Sequence, residues 1–165
     1  MDMNTAIFRT TPPYPPASFE YPDSWKVVES AGEGYKDVTV MGPRNADDTF
    51  SLALAIRFTE LPSPRADLKD IADGYIARRS KLQGFVLVSR SRLEINSREA
   101  ESIEISYLFP KSLDRLDSGT MKICERRILF IRDGSQYEII YSATESDFLQ
   151  YGETAQAVIR SLKFG

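Results

Sequence analysis

Two runs rich in β-branched and aromatic residues, Lys122–Arg132 and Ser135–Tyr141, flank the dipeptide Asp133-Gly134. Asp-Gly supplies the positive φ angles of a type I′ turn, whose twist matches that of the strands it joins. The stretch therefore reads as a β-hairpin. With a two-residue loop, Arg132 pairs with Ser135, Phe130 with Tyr137, Ile128 with Ile139 and Arg126 with Tyr141. The other face then carries Leu129, Ile131 and Ile140 beside Arg127 and Glu138. Both faces are largely apolar, so each needs a covering layer.

The rest of the chain supplies those layers. Phe50, Leu52, Leu54, Ile56 and Phe58 alternate with Ser51, Ala53, Ala55 and Arg57, which marks a central strand. The two alanines suggest a helix packed closely on the second face. Ser63-Pro64 predicts a helix start, with Ser as N-cap, and the helix runs to about Leu82 and stops at Gly84. Its stripe is Leu68, Ile71, Ala72, Tyr75, Ile76 and Leu82. Asp67, Asp70 and Asp73 near its start, and Arg78, Arg79 and Lys81 near its end, suit the helix dipole, with a cation site at the acids as the alternative. Tyr35–Met41 reads as a further strand, with Val38 and Val40 on one face.

Residues 85–95 and 100–109 predict a second hairpin. The parity of their apolar residues calls for a three-residue loop, Ser97-Arg98-Glu99. Leu93 then faces Ile103, Arg92 faces Glu104, and Leu93, Ile95, Ile103, Ile105 and Tyr107 share one face. Arg90, Arg92, Glu94, Ser102, Glu104 and Ser106 share the other. Residues 110–119 form a polar loop. Thr144 and Asp147 resemble a capping box that opens a last helix with the stripe Phe148, Tyr151, Ala155, Val158, Ile159 and Leu162. A short closing strand at 162–164 completes the chain. Residues 1–18, with Pro12-Pro13-Tyr14-Pro15-Pro16, read as an extended proline-rich leader, and residues 19–165 as a single domain.

The order strand, strand, helix, hairpin, hairpin, helix gives an α+β fold: an α/β/α sandwich around a central antiparallel sheet. The 165 residues contain no histidine and one cysteine, Cys124, and the net charge is −3. The missing histidine removes Ser-His-Asp and Cys-His catalysis and every histidine metal site. One cysteine allows no intrachain disulfide, and Cys124 reads as a small buried hydrophobe. The charge balance gives no footprint for nucleic acid. No cofactor and no metal are expected.

The segments Phe19-Glu20-Tyr21-Pro22-Asp23-Ser24-Trp25, Phe50–Phe58 with Ser63–Leu82, Gly134 with residues 137–143, Phe148, Tyr151 and Ser161-Leu162-Lys163-Phe164 resemble the PsbP superfamily. That family includes extrinsic photosystem II proteins, bacterial relatives, a nuclear-transport factor that binds the Ran GTPase, and certain type VI secretion chaperones. Leu162 stands where the family usually has phenylalanine. The resemblance implies an α/β/α sandwich and a non-enzymatic binding or assembly role. Metal binding of the kind some members show leans on histidine, and none is here to carry it.

These readings lead to a monomeric accessory module that docks to a larger protein, or to a membrane indirectly through a complex. The candidate surface is the loop Lys111–Gly119, with Lys111 and Arg115, together with Arg90, Arg92, Glu104 and Arg127. The same charges would also fit a solvated lattice of cross-strand ion pairs. A small-ligand pocket between sheet and helix, lined by aromatics such as Tyr75, Tyr107 and Tyr141, is the alternative. An enzyme would need a carboxylate or lysine base, and an arginine opposite Glu104 would leave only a weak one. The first residues, MDMNTAIFRTT, carry no export signal, which is consistent with a cytoplasmic location; removal of such a signal beforehand would place the chain in a periplasm or thylakoid lumen.

Overall fold

The structure, a computed structural model, describes residues 3–115 and 117–165. In chain order its elements are β1 (Thr5–Arg9), β2 (Ala17–Pro22), β3 (Lys26–Gly32), β4 (Tyr35–Arg44), β5 (Ser51–Glu60), α1 (Leu68–Arg79), β6 (Val86–Ile95), β7 (Arg98–Pro110), β8 (Thr120–Arg132), β9 (Ser135–Thr144), α2 (Glu145–Gln150), α3 (Gly152–Ser161) and β10 (Lys163–Phe164). A seven-stranded sheet has the order β3-β4-β5-β9-β8-β7-β6, and a three-stranded sheet the order β1-β2-β10. Every adjacent pair is antiparallel.

The Asp133-Gly134 hairpin has the expected register, from Arg132↔Ser135 through Ile128↔Ile139 to Arg126↔Tyr141. Both central residues have positive φ, 50° and 75°. Its two faces separate two cores. On one, Ile71, Ala72 and Tyr75 of α1 pack on Ile103, Ile105, Tyr107, Ile123 and Leu129. On the other, Ala155, Val158 and Ile159 of α3 pack on Leu52, Leu54, Ile56, Ile128, Phe130 and Ile139. The helices thus clamp the large sheet from opposite sides, and the layering is the α/β/α sandwich read from sequence. Phe50, read as the first residue of this alternation, falls just before β5 and turns away from Leu52, Leu54, Ile56 and Phe58 to pack against the α1-side core, edge-on to Phe109.

Helix α1 starts later than Ser63. Asp67 is the N-cap, its side chain accepting from the Asp70 amide at 2.7 Å, while Ser63 closes a separate turn with Ala66. Residues 62–65 are exposed, so no packing supports an extra turn there. The helix ends at Ser80, before Leu82. Gly84 then starts the path into β6 with φ +64°, and a Cβ there would lie 2.7 Å from Leu108 Cγ. The helix connects β5, in the middle of the sheet, to β6 at its edge. It therefore lies over β7 and β8 and leaves Ala53 and Ala55 half-exposed, contrary to the expectation that it would cover them.

The β6–β7 hairpin is registered differently from the parity argument. Asn96 and Ser97, both at positive φ, form a two-residue turn, and Ile95 pairs with Arg98, Leu93 with Ala100 and Arg92 with Glu101. Leu93 and Ile95 consequently join the α3-side core, not the face of Ile103 and Ile105. A register shift between Leu87 and Ser89 then changes the parity of the strand.

The last helix is two helices, α2 and α3, and Thr144 makes no side-chain cap bond. The Tyr141 hydroxyl donates to the Phe148 carbonyl at 2.9 Å, the acceptor a continuous helix would offer to the Gly152 amide. The break falls at Tyr151-Gly152, where glycine also weakens helix continuation. Near the N-terminus, β1 pairs along β2, and the proline run forms their connection, with Tyr14 edge-on to Phe58. β10 closes this second sheet by pairing Phe164 with Ala17.

Candidate functional site

The six charged residues proposed from sequence do not form one surface. Arg90 and Arg127 both pair with Ile103, from opposite sides, and point to the α1 side. Glu104 points the other way, between Ser89 and Arg126. It is therefore not opposite Arg92, which bridges to Glu99 at 2.5 Å on the exposed strand end. Lys111 reaches Asp47 at 3.5 Å, and Arg115 is exposed in the following loop, where its carbonyl accepts from the Ser118 hydroxyl. Leu116 of that loop lies outside the described residues. The three tyrosines are divided as well: Tyr75 and Tyr107 are on the α1 side, and Tyr141 stacks on Phe148 on the other.

The register instead brings together a ladder of opposite charges across the sheet. Arg57 makes two 2.8 Å bonds to Asp37, and its strand partner Glu138 accepts from Arg127 at 3.0 Å. Glu125 accepts from Arg127 at 3.4 Å, from Arg79 at 3.1 Å, and from the Tyr75 hydroxyl. A second branch runs from Glu101 through Arg90 to Asp73 and Lys69. Whereas the Arg92–Glu99 and Lys69–Asp73 pairs are exposed, the centre of the ladder is not solvated, with Glu125, Glu138 and Arg127 3%, 5% and 8% exposed. Such pairs survive burial because both members are hydrogen-bonded. Burial opposes the Arg127 charge, but Glu125 and Glu138 more than offset it and raise its pKa. The Tyr75 hydroxyl is also pushed up, first by burial and then by Glu125. Arg127 lies 4.4 Å from the centre of the Tyr75 ring, which it covers.

Because α1 covers only β7 and β8, the sheet beside it is open. A cleft of about 560 Å³ occupies that space. Asp70, Gly74 and Arg78, one helical turn apart each, line its α1 wall. Glu33, Gly34 and Tyr35 of the β3–β4 turn and Glu60 line the opposite side, and Arg57, Thr59, Arg127 and Glu138 lie in the floor. Two floor groups, Arg127 Nε and Thr59 Oγ1, are buried without a hydrogen-bond partner in the protein.

The floor acids are already engaged by arginines, so none is poised as a general base. Cys124 is half-buried on the opposite face, a less enclosed position than expected, and burial raises its thiol pKa, which lowers its reactivity. Among the described residues no group of three or more Cys, Asp or Glu is placed to hold a metal ion. Nor is any helix among the described residues long and apolar enough to cross a membrane.

No protein-family model matches the sequence, and none of the curated proteins does. Solved structures match over almost the whole chain. The cyanobacterial PsbP of Synechocystis superposes with a TM-score of 0.63 at 13% identity, covering 100% of this chain and 95% of its own. The fold is the PsbP fold. The Saccharomyces cerevisiae Ran-binding protein Mog1p shares it at a TM-score of 0.58 and 7% identity, covering 99% of this chain and 96% of its own. So does Mycobacterium tuberculosis LpqN, described as involved in cell envelope biogenesis, at 0.60 and 11%, covering 96% and 90%. The PsbP-like resemblance read from sequence is thus matched at the level of architecture. On this PsbP-like sandwich the cleft lies between sheet and helix with Tyr75 in its lining, as the alternative reading had it, but without Tyr107 or Tyr141, and its charged floor was not foreseen. Its available signals were charges at inward positions of apolar strands (Arg57, Glu125, Arg127, Glu138) and a glycine inside an amphipathic helix.

Proposed function

We propose that this chain is a non-catalytic binding module that docks a protein partner through the α1 side of its sheet, with the cleft as the point of recognition. The observation that carries the reading is the open cleft whose floor holds a buried ion ladder and two polar atoms, Arg127 Nε and Thr59 Oγ1, without a partner among the described residues. Proteins seldom leave buried donors unmade, because each costs about 1–3 kcal/mol. Arg90 and Arg92, on the same side, would extend the contact toward the β6 edge, and Lys111 and Arg115 would lie at its margin. That folds of this type include a Ran-binding protein and a PsbP supports a binding role.

The test is affinity capture from an extract of the native host, with wild-type protein beside a Gly74→Leu variant. Recovery of one stoichiometric partner by the wild type, and its loss from the variant, is expected. No partner, or equal recovery by both, would refute the reading. A second reading, a small ligand in the same cleft, is favoured by the cleft volume, which falls in the range of such sites. Of the aromatic lining expected for that ligand Tyr75 is present, joined by Tyr35 among charged groups, while Tyr107 and Tyr141 lie elsewhere.

A further inference from the structure

Resting on that reading, we propose the occupant: an extended segment of a partner protein with a lysine or arginine side chain. The basic head goes to the end of the cleft formed by Glu33, Glu60 and Asp70, and the backbone runs past Gly74 toward Arg78.

Charge gives the sign of the ligand. In the floor and beneath it, Arg57, Arg79 and Arg127 balance Asp37, Glu125 and Glu138 through the bonds already described. The rim is not balanced. Glu33, Glu60, Asp70 and Arg78 form no ion pair among the described residues, so three carboxylates stand against one guanidinium.

Register gives the ligand its length and direction. Tyr35 pairs with Thr59, and the Glu60 amide donates to the Gly34 carbonyl, so Glu33 and Glu60 share one end. Thr59 pairs with Gln136 and Gln136 with Ile131, six positions along β8 from the Glu125 that Arg79 reaches. Six strand positions span about 20 Å, the length of an extended peptide of about six residues. Asp70 lies in the first turn of α1 and Arg78 in its last. The cleft is therefore acidic at one end and carries its free arginine toward the other.

Two further features fit a peptide backbone. Gly74 sits in mid-helix, where glycine weakens the helix relative to alanine. A Cβ there would meet only Arg78 Nη1, at 3.4 Å, so the packing of the protein itself does not demand glycine. A chain laid along the helix would. The side chain of Arg127 is more than nine-tenths buried, yet its Nε–H lacks an acceptor, as the Thr59 hydroxyl lacks a partner. A peptide carbonyl that draws either group toward the cleft satisfies it.

The probes are fluorescently labelled dodecapeptides alternating lysine, glutamate or glutamine with serine, with affinity read by anisotropy. The lysine peptide should bind at least about tenfold more tightly than the other two. Gly74→Leu, which fills the cleft without changing charge, should weaken it about tenfold or more, as should the double variant Glu60→Gln, Asp70→Asn. Glu94→Gln, at the distant β6 edge, should leave it unchanged. Should Gly74→Leu lose its circular dichroism signature, the exposed carboxylate pair still decides. Equal affinity for the three peptides, insensitivity to both cleft variants, or an equal loss in Glu94→Gln would overturn the proposal. If host-extract capture remains sensitive to Gly74→Leu while no peptide preference appears, only the basic-segment assignment falls; loss of both removes the binding-module reading as well.

Discussion

Arg127 sits between two buried carboxylates: Glu138 accepts from it at 3.0 Å, and Glu125, which Arg79 and Tyr75 also hold, at 3.4 Å. Replacing it with Met should leave Glu138 buried without its arginine donor and lower stability by about 3–5 kcal/mol in urea titration. Adding Glu125→Gln and Glu138→Gln should recover much of that loss. Tyr75 sets a different limit. Its folded pKa is raised, by burial and by Glu125, above the unfolded value of about 10. Its contribution is then fully present below about pH 10 and is lost as pH rises further. Tyrosinate absorbance should show Tyr75 ionising only with unfolding, and Tyr75→Phe should flatten the alkaline fall in stability. The sequence placed Arg127 and Glu138 on one face of a strong hairpin. It could not show them buried, because Arg57, Asp37 and Glu125 complete the ladder from other strands or other positions, and only the assembled register joins them.

The two β-hairpins differ in how plainly their turns are written. Asp133-Gly134 states its geometry, and its register followed directly. Asn96-Ser97 adopts positive φ without glycine, 49° and 65°, where the parity of the apolar residues pointed to the loop Ser97-Arg98-Glu99 with Asn96 still in the strand. Ser97→Gly should therefore raise stability by about 1 kcal/mol, the left-handed penalty less the added freedom of glycine in the unfolded chain. Thermal unfolding would measure it. Helix faces were legible for the same local reason: the stripes of α1 and α3 are periodic. Helix ends were less so. The starts read at Ser63 and Thr144 both carry a good cap residue, yet neither side chain caps its helix: Asp67, read only as an acid suited to the dipole, caps α1, and Thr144 makes no cap bond.

The architecture as a whole rests on two clamps, α1 on one side and α3 with the small sheet on the other. Phe164 locks the second clamp, its ring 5.3 Å from both Phe130 and Tyr137. Phe164→Ala should cost about 3–5 kcal/mol, and amide exchange should quicken in β1, β2 and β10 before the large sheet. The layering could be read in advance, since two amphipathic helices and two-faced strands admit few arrangements. The lateral offset of α1, which opens the cleft, could not, because it depends on which edge the crossover must reach. That strand order also bears on synthesis. β5 pairs on one side with β4 and on the other only with β9, so residues 53–60 wait for residues 135–142. A ribosome-bound chain presents an apolar strand with a bare flank until more than half of the remaining polypeptide has been made, and an early pause or truncation would leave that flank open to other nascent chains.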